Sequence, residues 1–136
     1  RTYGDWNGDG NLDLAVVVAG EESIEVYRGD GLGNFKMLSR HETGVNPHGL
    51  TSGDFNQDGN LDLAVSNRTS GGITIFLGKG NGNFENTSSI YTGNDGIAIA
   101  NGDFDGDGAI DLAMVSASSH SLLFYRGDGK GGFNPW

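Results

Sequence analysis

Short apolar runs alternate with stretches rich in glycine, aspartate and asparagine along the whole chain, and no segment carries helical periodicity. In the middle of the sequence the apolar runs predict four strands, roughly Gly49–Phe55, Leu61–Asn67, Gly72–Leu77 and Phe84–Tyr91. β-Branched and aromatic residues recur in them, as a pleated and partly buried surface favours. The glycine-rich Gly78–Asn83 segment predicts the hairpin turn between the last two strands.

The pattern returns at a constant 49-residue offset. Gly4–Ala15, Gly53–Ala64 and Gly102–Ala113 repeat one order of residue types, and a second signature keeps the same spacing: YRGDGLGNF (Tyr27–Phe35), FLGKGNGNF (Phe76–Phe84) and YRGDGKGGF (Tyr125–Phe133). A fixed period of this size marks a repeat architecture in which each unit buries its apolar face against the next. Four-stranded antiparallel sheets at such a period are β-propeller blades. The expected fold is therefore all-β: three four-stranded antiparallel blades in an open or partial propeller. The chain is expected to be one repeat domain, 1–136, with units at about 1–41, 42–90 and 91–136.

Three full units would run longer than the 136 residues present, and the chain opens at the start of the repeated segment. The first unit is therefore expected to lack its first strand. Three blades are also fewer than the four to eight that close a propeller. The favoured expectation is a segment of a longer protein. The competing one is a protomer completed by a strand from another copy, building a ring or a filament.

The repeated segment carries a candidate metal loop, Asp-x-Asn/Asp-x-Asp-Gly-x-x-Asp. Its oxygen side chains fall at positions 1, 3, 5 and 9: Asp5, Asn7, Asp9 and Asp13; Asp54, Asn56, Asp58 and Asp62; Asp103, Asp105, Asp107 and Asp111. Alternate spacing lets a tight loop turn successive carboxylates onto one point, and glycine at position 6 (Gly10, Gly59, Gly108) permits the turn. A hard cation taking six to eight oxygens fits this set, which points to Ca²⁺, about one ion per loop and three in all. By analogy with other such loops, the carbonyls at position 7 (Asn11, Asn60, Ala109) join the ligands. An EF-hand opens the same way but needs Glu at position 12 and flanking helices. Position 12 here is Val16, Val65 or Met114, followed by strand-like sequence.

With 18 acidic and 8 basic residues the net charge is −10, and ten of the acids are loop aspartates. Three bound Ca²⁺ would leave −4. The acidity argues against nucleic acid or an anionic membrane as partner, and no apolar run approaches a membrane span. With no cysteine and three histidines at unrelated repeat positions (His41, His48, His120), zinc and copper find no support. The same scatter gives no basis for catalysis, so the chain is expected not to be an enzyme.

The pairing of Gly-Asp-Phe-x-x-Asp-Gly-x-x-Asp-Leu-Ala with Phe-x-Gly-x-Gly-x-Gly-x-Phe resembles the FG-GAP (VCBS-type) repeat of integrin α-subunit propellers and many secreted bacterial proteins. The resemblance covers essentially the whole chain. It implies a β-propeller, commonly seven-bladed, with Ca²⁺ in each metal-bearing loop, and it places the ligands on the positions named above.

Other features carry weaker expectations. Nine aromatics fall at repeat-equivalent positions and are expected in the core: Trp6, Phe55 and Phe104; Tyr27, Phe76 and Tyr125; Phe35, Phe84 and Phe133. Tyr3, Tyr91 and Trp136 break the template; Tyr91 and Trp136 are candidates for stacking on a sugar, against packing at a blade edge as the simpler reading. The two Arg-Gly-Asp tripeptides (Arg28–Asp30 and Arg126–Asp128) are explained by turn chemistry. Asn67 and Asn86 open sequons that matter only in a eukaryotic secretory pathway. The functional expectation is a calcium-binding extracellular propeller segment serving as a binding or adhesion scaffold for a protein or glycan, with no nucleic-acid partner and no membrane insertion. Its alternatives are a lectin-like propeller, a self-assembling structural protomer, and a non-catalytic support domain of a polysaccharide-active enzyme.

Overall fold

The computed structural model describes residues 1–93 and 95–136, and within them the side chains of all but residues 86 and 87. The strands form three sheets of four. The first holds β1 (Thr2–Gly4), β2 (Asp13–Val18), β3 (Ser23–Gly29) and β4 (Phe35–Glu42). The second holds β5 (Pro47–Gly53), β6 (Asp62–Asn67), β7 (Gly72–Gly78) and β8 (Phe84–Tyr91). The third holds β9 (Gly96–Gly102), β10 (Asp111–Ser116), β11 (Ser121–Gly127) and β12 (Phe133–Pro135). In each sheet spatial order follows chain order and neighbouring strands run antiparallel. Each sheet is a propeller blade, and the three form an open array. Register repeats with the sequence, Leu14 facing Tyr27, Leu63 facing Phe76 and Leu112 facing Tyr125.

One expectation fails here. The first blade does have its first strand, because Thr2, Tyr3 and Gly4 pair with Ala15, Leu14 and Asp13. The ladder ends at Gly4, where the candidate loop begins. Strands β4 and β8 end one residue beyond the expected unit boundaries at 41 and 90. Among the described residues the single helical piece is the 3₁₀ turn Ala19–Glu21, which links β2 to β3.

The core lies between blades. Trp6, Ala15, Ile24 and Val26 of the first blade meet Leu50, Leu63, Val65, Phe76 and Phe84 of the second. Phe55, Ala64, Ile73 and Ile75 of the second meet Leu112, Met114 and Tyr125 of the third. The middle blade is thus covered on both faces, and β6 is buried at every position. Each large side chain sealed there contributes roughly 1.5–3 kcal/mol.

Polar contacts across the seams obey the repeat offset too. Gly82 N–H donates to Trp6 O at 2.7 Å and Gly131 N–H to Phe55 O at 3.1 Å. The Thr2 and Ser52 hydroxyls lie 2.9 Å apart, and Thr51 donates to Asn101 Oδ1 at 2.5 Å.

The outer faces correct a second expectation. Phe35 and Phe104 occupy core positions of the repeat but are 51% and 46% exposed. They belong to the two blade faces that have no neighbouring blade.

Candidate metal centres

Each candidate loop joins the first two strands of a blade, as 5–12, 54–61 and 103–110. Its fold is written by carboxylates accepting backbone N–H groups, the local chemistry by which Asp and Asn shape turns. Asp5 accepts from Gly8, Asp9 and Gly10 at 2.8–3.2 Å, Asp54 from Asp58 and Gly59, and Asp103 from Gly106 and Gly108. Position 5 caps the residue two further on: Asp9 accepts from Asn11 N–H, Asp58 from Asn60 and Asp107 from Ala109, at 2.8–2.9 Å. The position-6 glycines sit at φ of 84°, 87° and 89°, where a side chain would be strained.

The position-9 aspartates are the hinge of each site. Asp13, Asp62 and Asp111 are buried, and each spans two backbone donors. Oδ2 accepts from Trp6, Phe55 or Phe104 at the loop's start, at 2.7–3.0 Å. Oδ1 accepts from Gly29, Gly78 or Gly127 at the end of the third strand, at 2.8–3.0 Å. Those glycines are required by close approach: a Cβ on any of them would lie 2.1 Å from a backbone carbonyl of Leu12, Leu61 or Ile110. Burial pushes the Asp62 carboxyl up to about 6; the Gly78 and Phe55 N–H groups pull it down, while Asp58 and Asp54 add to the rise. A cation beside it would relieve that penalty.

In the third loop, carboxylate oxygens of Asp103, Asp105 and Asp111 lie within 4.8 Å of one another. Among the described residues no other three carboxylates gather so closely, since the first two loops carry Asn7 and Asn56 at position 3. Asn7 Oδ1 and Asn56 Oδ1 accept from Asp9 and Asp58 N–H at 2.9 and 3.2 Å. At position 7 the Asn11 and Asn60 side chains lie against Gly31 and Gly80 of the glycine-rich hairpins, which leaves only their carbonyls for a loop ion. A set of hard oxygen donors, each carboxylate retaining lone pairs beyond its backbone bonds, fits Ca²⁺.

Three residues of the site escaped the sequence reading. Arg28 Nε pairs with Asp9 Oδ2 at 2.9 Å, and Arg126 Nε with Asp105 Oδ2 at 2.7 Å. The repeat-equivalent residue of the middle blade is Leu77. These arginines open the Arg-Gly-Asp tripeptides, so their side chains serve the loop, and Asp30 caps the Leu32 and Asn34 N–H groups as turn chemistry predicts. Gln57 reaches from the second loop to the Gly108 carbonyl of the third at 2.9 Å.

A family model described as an FG-GAP-like repeat matches residues 5–65 and again 54–114. The chain belongs to the FG-GAP-like repeat family. The two matches begin one repeat period apart, and each spans one metal loop and the next. No curated protein matches the chain. Among solved structures, the crystal structure of BBS1N in complex with ARL6DN, soaked with lead, is similar at 13% identity and a TM-score of 0.42, covering 98% of this chain and 54% of that one. The FG-GAP chain thus spans about half the length of that neighbour.

The remaining candidates fall outside the loops. Tyr91 and Trp136 are both exposed, on different blades. Trp136 stacks edge-on against Phe124 at 5.9 Å beneath Arg126, while Tyr91 borders a separate depression with Ile90, Ser70 and Thr74. The Asn67 residue of the first sequon is 2% exposed and its amide donates to Thr74 Oγ1 at 2.9 Å, a setting without room for a glycan in this fold. The Asn86 side chain lies outside the described residues.

Proposed function

We propose that this FG-GAP chain is a calcium-binding, non-enzymatic scaffold that works outside the cell and presents a propeller surface to a protein or glycan ligand. The observation that carries the reading is the convergence of Asp103, Asp105 and Asp111 in the third loop, on a frame the other two loops share. Asp103, Asp105, Asp107, Asp111 and the Ala109 carbonyl would hold the ion there. Their equivalents are Asp5, Asn7, Asp9, Asp13 and the Asn11 carbonyl in the first loop, and Asp54, Asn56, Asp58, Asp62 and the Asn60 carbonyl in the second. A bound Ca²⁺ would supply positive charge that offsets the burial cost of the Asp62 carboxylate, while Asp13, Asp62 and Asp111 themselves tie the start of each loop to the end of the third strand. Extracellular modules bind Ca²⁺ with Kd near 10⁻⁴–10⁻³ M, a range met outside cells and not in cytosol. Among the described residues no helix is long and apolar enough to cross a membrane.

Calorimetric titration with Ca²⁺, paired with thermal melts in calcium and in chelator, tests the reading. Asp58→Ala is expected to remove binding at the second loop and to lower Tm in calcium while changing little in chelator. An equal Tm loss in both conditions would show that Asp58 is only a turn residue.

A further inference from the structure

Position 4 of the metal loop is glycine in the first and third blades, Gly8 and Gly106, at φ of 74° and 79°. In the second blade it is Gln57, held at φ 59° in the left-handed region that favours glycine. Turn chemistry gives no reason for a side chain there, since the sibling loops close in the same way without one. The Gln57 side chain instead crosses the seam between blades. Its Nε2 donates to the Gly108 carbonyl of the third loop at 2.9 Å. A Cβ at Gly129, in the third blade's hairpin, would lie 3.4–3.5 Å from its amide. Between the first and second loops the same place belongs to Gly8, where a Cβ would meet the Gly80 carbonyl at 3.8 Å.

What Gln57 grips is the peptide unit next to a proposed ligand. The Gly108–Ala109 unit is bonded at both ends: Gly108 O accepts from Gln57, and Ala109 N–H donates to Asp107 Oδ1 at 2.8 Å. In the second loop Asn60 N–H donates to Asp58 Oδ1, also at 2.8 Å, but Gly8 has no side chain to offer the Gly59 carbonyl. Holding the unit at both ends fixes the direction in which the next carbonyl, that of Ala109, is presented to an ion. At its other end Gln57 stands between Asn56 and Asp58, two of the second loop's proposed ligands. Ordering of one loop is therefore passed to the other through a single side chain.

We propose that Gln57 is a strut coupling the second and third metal loops, so that filling either one raises the Ca²⁺ affinity of the other, while the first loop takes no part. This coupling rests on the calcium reading of the loops. Coupling between two binding equilibria is reciprocal, so the second loop gains from the third the same factor that it gives. One neutral hydrogen bond sets the scale, about two- to tenfold in affinity. Direct repulsion between two bound cations acts in the opposite sense and is weakened by salt.

A Ca²⁺ titration of the whole chain followed by NMR reads each loop separately. Gly10, Gly59 and Gly108 each donate an N–H to the first aspartate of their own loop, at 2.9–3.0 Å. Emptying the second loop with Asp58→Ala is expected to raise the Gly108 midpoint by about two- to tenfold and to leave Gly10 unmoved. Gln57→Gly, which installs the residue of the sibling loops, is expected to raise the Gly59 and Gly108 midpoints together by a similar factor. It changes no charge, so its effect cannot come from electrostatics between the sites. Gln57→Asn tolerates the same φ but is one methylene short, and it is expected to match the glycine variant. Unchanged strand resonances establish that each variant is folded. In the Asp58→Ala/Gln57→Gly double variant the Gly108 midpoint is expected to move no further than in either single one. A Gly108 midpoint that ignores Gln57→Gly, or shifts that simply add in the double variant, overturns the coupling and leaves the calcium reading standing. No response of any loop glycine to Ca²⁺ overturns both.

Discussion

Arg28 and Arg126 hold carboxylates that a cation would otherwise use, and the middle loop has no such competitor because Leu77 takes the place. The guanidinium neutralises part of the Asp cluster and would have to yield to an entering Ca²⁺. Arg126→Ala is therefore expected to strengthen Ca²⁺ binding at the third loop by about two- to fivefold, the scale of an exposed ion pair. Calorimetry at low and high salt checks this, and the difference should shrink as salt screens the pair. At the seam between the first two blades, His41 sits 5.4 Å from the Phe84 ring and 5.9 Å from Phe76, with Nε2 buried and unbonded. Burial, helped by the charge of Lys79, holds its imidazole below the ordinary 6.5. The unfolded chain then binds the extra proton first, so the stabilisation is complete above pH 6.5 and is lost as pH falls through the folded value. His41→Phe is expected to flatten that part of a Tm-against-pH curve; an unchanged slope would assign it to other groups. At this scale the loop-shaping aspartates and asparagines were legible because loop geometry dictates residue type every second position. The arginines were not, since they arrive from the third strand of the blade and from a tripeptide that turn chemistry already explained.

Strands and turns of the middle blade were legible to within two residues, β5 lying two residues earlier than predicted. In the middle blade β8 falls where the apolar run predicts it, and β6 and β7 differ from their predicted bounds by single residues. Alternation of apolar runs with Gly-Asp clusters leaves little choice when the same answer is written three times. Less visible was the reason that the third strand of every blade ends in glycine. Gly29, Gly78 and Gly127 look like turn residues, yet none has a positive φ; they are glycine because the backbone presses against a carbonyl to reach the buried aspartate. Gly78→Ala is expected to cost about 2–4 kcal/mol, combining a steric clash with a lost hydrogen bond to a buried carboxylate. Denaturant unfolding in chelator, where the metal makes no contribution, measures it. A loss no larger than that of an innocuous surface change, about 0.5 kcal/mol, would dismiss the close-approach argument.

Across the whole molecule, sequence-equivalent residues differ in their surroundings. Periodicity makes Trp6, Phe55 and Phe104 equivalent positions; it does not announce that in the structure Trp6 and Phe55 are sealed in seams between blades while Phe104 is half-exposed. Phe55→Ala should cost about 3–5 kcal/mol, the usual loss for a large core aromatic. Phe104→Ala should cost the dilute chain less than about 1 kcal/mol, since the half-exposed ring leaves no sealed cavity. Urea denaturation of both at low concentration compares them, and equal losses would mean that the third blade's outer face is already covered. The short β1 belongs to this scale as well: counting residues against the period predicted an absent strand, but three ladder pairs were enough to make one. The middle blade, matched on both faces, has a consequence for how such molecules change over generations. In-frame duplication of the codons for one repeat would insert a unit whose two sides already suit what precedes and follows it, so copy number can vary before a single side chain has to adapt.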